Sequence, residues 1–483
     1  MSRLRLVAAF AVIQGLIASN AAQPTPVGNA ISSIEPTPCA ADVAAPSGHC
    51  FRISVPENYR SPNGRRIQLD AFVLPGRTHA TGRAAFFLAG GPGERATRVF
   101  AEANLKSLST GIDVVIIDQR GTGTTPDIRC QNDTSPANLP LLMTDMWPVS
   151  GLQSCLRNLA GTADLTQYTT RNAVEDLEQS RQLLGYRKID IIGYSYGTRL
   201  ALEYMRRHGA NVRSATLSGP FAPEFAMPAG VARHAQASQQ VVIDKCLDDA
   251  SCRRAYPDLR DDLAKLEHRL DAEGVAASVA DRPVRLKRGI VASYIRTLLY
   301  RSETAAEVPY AIHVLASEDP GLYTQKVVAW RVGMERAGAW GLYLSITCTE
   351  DFPLNSPTEL KQEARGTLLG DYRAEQLRAA CAVWPAGELP RDLHLPLLAD
   401  IPTLVLSGVA DPITPPVYGE RIVEHLRNSR LLRIPNGAHI NFGDCIDGII
   451  VQFIETADPA KPDSRCLEAL KSPPFKMALA PAE

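Results

Sequence analysis

Residues 189–198 read Ile-Asp-Ile-Ile-Gly-Tyr-Ser-Tyr-Gly-Thr, an apolar, β-rich run that leads into a Gly-x-Ser-x-Gly turn. Residues 199–207 behind the turn favour a helix, so the pattern predicts a strand, a sharp turn and a helix. In that context the pentapeptide is typical of a nucleophile elbow, where a serine hydroxyl stands above the end of a sheet strand. Gly193 and Gly197 are small because backbone crowds such a corner. We predict that Ser195 is a nucleophile, the alternative being an accidental pentapeptide in a loop.

Strand and helix patterns alternate on both sides of this turn. Residues 84–89 and 112–118 are near-continuous apolar runs, which are typical of strands buried on both faces of a parallel sheet. A helical pattern at 172–184 precedes the turn, and a further strand pattern follows at 212–217. This alternation, from about 84 to 220, predicts an α/β fold with a mostly parallel sheet covered by helices on both faces.

The alternation stops at about residue 221, and mostly helical patterns continue to about 395. Strand patterns return at 401–408 and at 430–434, so the helical part is interpreted as a cap inserted into the sheet domain. Residues 130–170 are expected to be irregular, because Pro and Asn interrupt them. The predicted parts are a signal peptide at 1–22, an N-terminal core at 23–220, a helical cap at 221–395 and a C-terminal core at 396–475.

The N-terminus has the features of a secretory signal. Arg3 and Arg5 precede an apolar run at 6–17, and small residues follow up to Ala21 and Ala22, where cleavage is expected. A membrane anchor is the alternative, but this run is shorter than the ~20 residues that span a bilayer. No later segment is long and apolar enough to span, so we predict a secreted or periplasmic protein without stable membrane insertion.

The composition limits the partners and the compartment. A formal net charge of -1 gives no reason to expect nucleic acid or an anionic membrane as a partner. The ten cysteines include no Cys-x-x-Cys pair, and an even count in an exported chain indicates disulfides. The sequence leaves the connectivity open; pairing of sequential neighbours would give 39–50, 130–155, 246–252, 348–381 and 445–466. No metal cluster or cofactor motif is present, so we expect chemistry that needs neither.

A serine nucleophile needs a base within hydrogen-bond reach and an acid that orients the base. In α/β-hydrolases the chain order is Ser, then Asp or Glu, then His, each after a core strand. Asp411 follows the predicted strand at 401–408, and His439 follows the one at 430–434. We predict His439 as the base and Asp411 as the acid; a structural loop histidine and an Asx-turn before Pro412 are the alternatives.

The tetrahedral intermediate of acyl transfer needs two N–H donors. One is expected from Tyr196, the residue after the nucleophile, and the other from the Gly-Gly-Pro-Gly loop at 90–93. Gly91 is the expected donor in that loop, since Pro92 has no N–H. A phosphate-binding loop is the competing interpretation, and it is disfavoured because no Lys-Ser/Thr pair follows.

Four motifs together resemble those of the prolyl aminopeptidase branch of α/β-hydrolases. They are Ala-Gly-Gly-Pro-Gly at 89–93, Asp-Gln-Arg-Gly-Thr-Gly at 118–123, Gly-Tyr-Ser-Tyr-Gly-Thr at 193–198 and Asp-Pro-Ile-Thr-Pro at 411–415. The chain is still more similar to the secreted tripeptidyl-aminopeptidase-like proteins, over about residues 50 to 470. One position departs from the pattern: Ala89 stands where prolyl aminopeptidases usually have His.

The resemblance implies an α/β-hydrolase fold and a serine exopeptidase whose helical cap recognises the free N-terminal amine of a peptide, often through carboxylates. Glu350 and Asp351, beside Cys348, and Glu94, next to the glycine loop, are the candidates for that contact. A solvated acidic pair is the alternative for Glu350 and Asp351.

Three functions are compatible with these residues. A secreted aminopeptidase acting on peptides comes first, and a carboxylesterase or lipase-like hydrolase of small esters is the alternative, because the same triad cleaves esters. A catalytically silent binding protein is disfavoured, since all three triad residues are present.

Overall fold

The computed structural model describes residues 32–40, 48–76, 82–103, 111–123, 126, 128–279 and 282–478. The predicted signal peptide at 1–22 lies outside these residues. In chain order, strands β1 to β11 are Ser33–Thr37, His49–Pro56, Arg66–Leu74, Arg83–Leu88, Asp113–Ile117, Lys188–Tyr194, Val212–Ser218, Val275–Val279, Arg282–Leu286, Thr403–Gly408 and Ser429–Ile434.

One mostly parallel sheet organises the fold. Its strand order is β1-β2-β3-β5-β4-β6-β7-β10-β11. Strands β1, β2 and β3 pair antiparallel at one edge, β3 pairs antiparallel with β5, and every pairing from β5 to β11 is parallel. Because β6 lies in the middle of the parallel part, the residue that follows it emerges at the centre of the carboxyl-terminal edge.

Alternate residues of the parallel strands pack into two separate apolar cores, one on each face of the sheet. Because both faces are buried, the sequence of these strands is continuously apolar. In β5, Val114 and Ile116 pack on one face with Phe453 of the last long helix. Val115 packs on the other face with Leu177. The predicted fold class, an α/β-hydrolase sheet covered on both faces, is therefore confirmed.

Helices cover the sheet and form the inserted part. In chain order, α1 to α17 are Ala96–Ala103, Leu139–Leu142, Val149–Leu159, Thr170–Leu183, Tyr196–His208, Val231–Asp248, Ala250–Ala255, Leu259–Ala272, Arg288–Leu298, Ser302–Ala305, Val308–Ala316, Gly321–Ala337, Trp340–Ile346, Pro357–Ala364, Tyr372–Cys381, Pro416–His425 and Asp444–Thr456. A π-helical turn at Thr347–Asp351 follows α13. Within the described ranges no helix has both the length and the apolar character that a bilayer crossing requires.

The segment predicted as a cap contains α6 to α15, together with the antiparallel hairpin β8–β9. Its first part has an apolar core of its own, in which Ile243, Leu266, Ile290 and Ile312 are buried, whereas Leu377 of α15 belongs to the core on one face of the sheet. A separate core explains how a helical segment can stand between two strands of the sheet. The boundaries at 220 and 395 stay a prediction.

The expectation that residues 130–170 are irregular is wrong. Helix α3 forms there and buries Leu152 and Leu159. Its Cys155 is joined to Cys130 by a disulfide. Ser, Gly and Asn weaken the helical signal of this segment, and tertiary packing together with the covalent link overrides their low propensity.

All ten cysteines are paired, and each is joined to its sequential neighbour, as the simplest pairing suggested. One bridge joins Cys348, in the π-helical turn, to Cys381 at the end of α15. The bridge fixes the turn that carries Glu350 and Asp351 to a neighbouring cap helix. Five disulfides are typical of a protein that folds in an oxidising compartment.

Candidate active site

Ser195 lies at the turn between β6 and α5, with φ of +53° and ψ of −122°. A non-glycine residue in that conformation costs about 1–3 kcal/mol, and such strain is concentrated at functional sites. No side chain fits at either flanking position. A Cβ at Gly197 would lie 2.2 Å from the carbonyl oxygen of Leu88, and one at Gly193 would lie 2.6 Å from the oxygen of Gly197. The geometry is that of a nucleophile elbow.

His439 lies in the loop after β11 and is buried. Its Nε2 is 2.9 Å from Oγ of Ser195, and its Nδ1 is 2.8 Å from Oδ2 of Asp411. The loop is held by Asn441, whose Oδ1 accepts from the N–H of Ala438 and whose Nδ2 donates to the oxygen of the same residue. The structure thus brings together the serine, histidine and aspartate that the sequence singled out.

Asp411 lies in the loop after β10 and accepts several hydrogen bonds. Its Oδ1 accepts from the N–H groups of Ile413 and Thr414, and its Oδ2 accepts from Oγ1 of Thr414 and from Nδ1 of His439. Burial raises the pKa of this carboxyl, but the adjacent histidine and the N–H donors outweigh burial, so the pKa lies below its ordinary value. The carboxylate therefore stays ionised and orients the ring of His439.

The two predicted oxyanion donors belong to the nucleophile helix and to the glycine loop. Tyr196 is the first residue of α5, where a backbone N–H has no partner within the helix. Gly91 is exposed and has φ of +104°. Its neighbour Gly90, which the sequence analysis did not single out, packs so closely that a Cβ there would lie 3.0 Å from Cβ of Ser195. The glycine loop therefore borders the nucleophile.

Glu350 and Asp351 are fully buried, so the alternative of a solvated acidic pair is wrong. Glu350 accepts hydrogen bonds from N and Oγ1 of Thr170, whose Oγ1 is also 2.8 Å from the hydroxyl of Tyr196. Asp351 forms an ion pair of 2.8 Å with the buried Arg199 of α5. Asp351 thus contacts the nucleophile helix directly and Glu350 contacts it through Thr170, and their role in binding an amine stays a prediction.

Glu94 is the third candidate for the amine contact, and it is exposed. A Cβ built on Gly90 would lie 3.2 Å from Oε2 of Glu94 and 3.0 Å from Cβ of Ser195. The carboxylate and the nucleophile therefore border the same small space. Among the described residues, no group of three or more His, Cys, Asp and Glu is arranged to hold a metal ion.

Two family models match the chain, an alpha/beta hydrolase fold over residues 86–300 and a TAP-like protein over 366–466. The chain has the alpha/beta hydrolase fold, and its C-terminal part matches the TAP-like family. The resemblance inferred from the four motifs is confirmed, and the chain is an enzyme of the hydrolase class.

Relatives of this hydrolase are named as peptidases. It is 25% identical over 471 residues to serine protease Hip1 of Mycobacterium bovis, covering 87% of this chain and 88% of that protein. It is 31% identical over 187 residues to tripeptidyl aminopeptidase of Streptomyces coelicolor, covering 34% of each chain. Proline iminopeptidase of Mycobacterium smegmatis, a solved structure, shares 17% identity with a TM-score of 0.38, covering 84% of this chain and 98% of that one.

Several residues of the site could not be found from the sequence of the hydrolase. Thr170 is 180 residues from Glu350, and Arg199 is 152 residues from Asp351. Each residue type is common, and no local pattern marks the pairing. Only the folded chain brings the N-terminus of α4, the nucleophile helix and the π-helical turn together.

Burial raises the pKa of Glu350 to about 7, even though Thr170 and Arg199 favour its ionised form. The native state therefore retains a proton that the unfolded chain, with an ordinary carboxyl pKa near 4.5, has lost. We expect the free energy of unfolding to fall by about 3 kcal/mol between pH 4.5 and 7 from this group alone. Glu350→Gln should remove that part of the slope, as measured by urea unfolding across this range.

The exposed Glu424→Gln serves as the matched control and should retain the wild-type slope. Asp447, whose pKa is raised by burial to about 6, contributes a slope of the same sign to all three proteins. The difference between wild type and Glu350→Gln therefore isolates Glu350. Equal slopes in those two proteins would contradict a protonated Glu350.

Proposed function

We propose that this hydrolase is a secreted serine exopeptidase that releases an N-terminal residue, proline included, or a tripeptide from peptides. The observation that carries the proposal is the continuous hydrogen-bond chain from Asp411 through His439 to Oγ of Ser195. A buried acid, a histidine with both ring nitrogens engaged and a strained serine satisfy the geometric requirements of a nucleophilic triad.

In the proposed mechanism, His439 Nε2 removes the proton of Ser195 as Oγ attacks the substrate carbonyl carbon. The N–H groups of Gly91 and Tyr196 stabilise the oxyanion of the tetrahedral intermediate. His439 then donates the proton to the leaving amine, and an acyl-enzyme on Ser195 remains. A water molecule, deprotonated by His439, hydrolyses that ester and restores the serine.

The exopeptidase assignment rests on an amine contact beside the nucleophile. Glu94 is exposed and borders the same space as Ser195, whereas Glu350 and Asp351 are buried. We therefore place the substrate ammonium at Glu94, whereas Glu350 and Asp351 support the nucleophile helix through Thr170 and Arg199. The names of the relatives, serine protease and tripeptidyl aminopeptidase, agree with a peptide substrate.

Glu94→Gln should lower kcat/KM for substrates with a free N-terminus by about 10- to 100-fold, because a hydrogen bond between charged groups is replaced by a weaker one. The readout is the ratio of kcat/KM for a free aminoacyl amide to that for its N-acetylated counterpart. The exposed Glu424→Gln is the matched control and should keep the wild-type ratio. An unchanged ratio in Glu94→Gln would place the amine elsewhere.

A carboxylesterase is the second candidate, because the same triad and oxyanion donors cleave esters and the cap alone selects the substrate. A panel of fluorogenic amides, with free and blocked aminoacyl, prolyl and tripeptidyl groups, beside short-chain esters distinguishes the two. The exopeptidase proposal predicts cleavage of free-amine amides. Cleavage of blocked amides, or of esters only, would contradict it.

Secretion is supported by the signal pattern at 1–22 and by the five disulfides. N-terminal sequencing of the protein recovered outside the cytoplasm should find a chain that begins near residue 22. A chain that retains Met1 would contradict the proposed cleavage.

A further inference from the structure

Arg296, in the last turn of α9, lies next to the proposed triad. Its Cζ is 5.4 Å from the centroid of the Tyr300 ring. The Tyr300 ring in turn packs edge-on against the ring of His439, with 5.4 Å between centroids. The oxygen of Tyr300 also accepts a hydrogen bond from the N–H of Ile440, which fixes the tyrosine to the histidine loop. One aromatic ring thus separates this guanidinium from the base.

Arg373 of α15 approaches the same region from another part of the cap. Its Nη2 donates a 2.7 Å hydrogen bond to the hydroxyl of Tyr343, and its Cζ is 4.5 Å from the ring of Trp147. Tyr343 belongs to α13, and the N–H of Ala339, just before that helix, donates to the oxygen of Gly93 in the glycine loop. The arginine is therefore fixed relative to the loop that borders Ser195.

Neither arginine has a carboxylate partner in the part of the chain that the structure describes. The Nε of Arg296 is buried without a hydrogen-bond partner. The buried arginines among the described residues are each matched with an acid: the ion pairs are Arg120–Asp176, Arg181–Glu178, Arg199–Asp351 and Arg331–Glu335. Arg296 and Arg373 are half-buried, and neither forms such an ion pair within the described residues.

An unpaired guanidinium in this position costs stability, because burial removes water and the negative charge that acts on Arg296, that of Asp411, is already paired with His439. Burial lowers the pKa of Arg296, and the positive charge of Arg373 lowers it further. Stacking of guanidiniums on aromatic rings offsets only part of this cost. A half-buried, unpaired Arg296 that lies one aromatic ring from the base, with the positive charge of Arg373 acting on it, is therefore better explained by an anion that arrives with the substrate.

We propose that Arg296 and Arg373 form an anion subsite that binds a substrate carboxylate close to the scissile bond. The proposal rests on the proposed function for the position of that bond at Ser195. The carboxylate has two possible sources, the side chain of Asp or Glu next to the scissile bond and the free C-terminus of a short peptide. A guanidinium fork suits either source, because it can donate two parallel hydrogen bonds to a carboxylate.

Two sets of matched peptides separate the sources. One set carries Glu or Gln at each position next to the scissile bond, and the other set ends in a carboxylate or a carboxamide. We expect kcat/KM of the wild type to favour the acid over its amide by about tenfold or more in one of the sets. In Arg296→Gln and in Arg373→Gln that preference should fall towards one, whereas Arg296→Lys should keep part of it.

The matched control is Arg378→Gln, which removes an exposed arginine of the same helix as Arg373. It should keep the wild-type preference. Equal kcat/KM for acid and amide in both sets would overturn the proposal, as would a preference that survives in both glutamine variants. Where one glutamine variant fails to fold, as judged by its melting curve, the other variant and Arg296→Lys decide.

A pair of esters distinguishes a failure of the anion subsite from a failure of the proposed exopeptidase function. The probes are 4-nitrophenyl hydrogen succinate, which carries a carboxylate, and 4-nitrophenyl butyrate, which has the same acyl length without one. A preference for the succinate that falls in Arg296→Gln, with no peptide cleaved, supports the anion subsite and rejects the exopeptidase. Cleavage of peptides without any acid preference supports the exopeptidase and rejects the subsite.

Discussion

Ser195→Ala is expected to lower kcat by roughly 10⁶-fold, the size of loss seen when the nucleophile of a serine hydrolase is removed. No acyl-enzyme can form without Oγ, and neither His439 nor the glycine loop supplies another nucleophile. Alanine fits the same corner because it removes only the hydroxyl. The melting temperature should therefore stay within a few degrees of the wild type, and kcat on the best substrate of the panel is the measurement.

The matched control for this variant is Ser61→Ala, at an exposed position in the turn between β2 and β3. It should retain full kcat. If Ser195→Ala kept more than about a thousandth of the wild-type kcat, the serine would not be the nucleophile. Contaminating host hydrolases are excluded by purifying both variants in parallel.

Asp411→Asn has the second largest expected effect, a loss of roughly 10⁴ in kcat. An amide in this position presents an N–H to Nδ1 of His439 and selects the ring tautomer that cannot take the serine proton. The backbone N–H groups of Ile413 and Thr414 still hold the other side-chain oxygen, so the loop should keep its shape. Steady-state kcat and the melting temperature are measured together.

Asp400→Asn, at an exposed position before β10, is the control and should leave kcat unchanged. A drop of less than tenfold in Asp411→Asn, with an unchanged melting temperature, would mean that the carboxylate does not orient His439. Thr414→Val should cost less than Asp411→Asn, because it removes one of the hydrogen bonds that Asp411 accepts and leaves the acid in place.

The residues that could be predicted from the sequence are those whose position follows from strand order. Ser195, Asp411 and His439 each come directly after a core strand, and the carboxyl ends of parallel strands meet at one edge of the sheet. Close approach of backbone N–H groups to a ligand depends on small residues in one short stretch, so the glycine loop at 90–93 could be predicted from its Gly-Gly-Pro-Gly sequence. Sequential pairing of the ten cysteines matched the structure because each bridge closes a short loop.

The features that could not be predicted from the sequence depend on contacts between distant segments of the chain. Arg296 and Arg373 lie in the cap, where helical patterns show which face is apolar but not which polar side chains converge. For Glu350, a candidate for the substrate amine, the sequence left a solvated acid as the alternative, and only the fold shows that the residue is buried against Thr170. Helix α3 at Val149–Leu159 was missed because a disulfide and tertiary packing, rather than propensity, stabilise it.

The most direct measurement of the central claim is labelling with a fluorophosphonate probe, followed by peptide mapping of the modified residue. A serine activated by His439 attacks phosphorus and becomes covalently phosphonylated, whereas an ordinary serine hydroxyl does not react. We predict one label per chain, on Ser195, and none on Ser195→Ala. A label on another serine, or no label on a folded wild-type protein, would contradict the account.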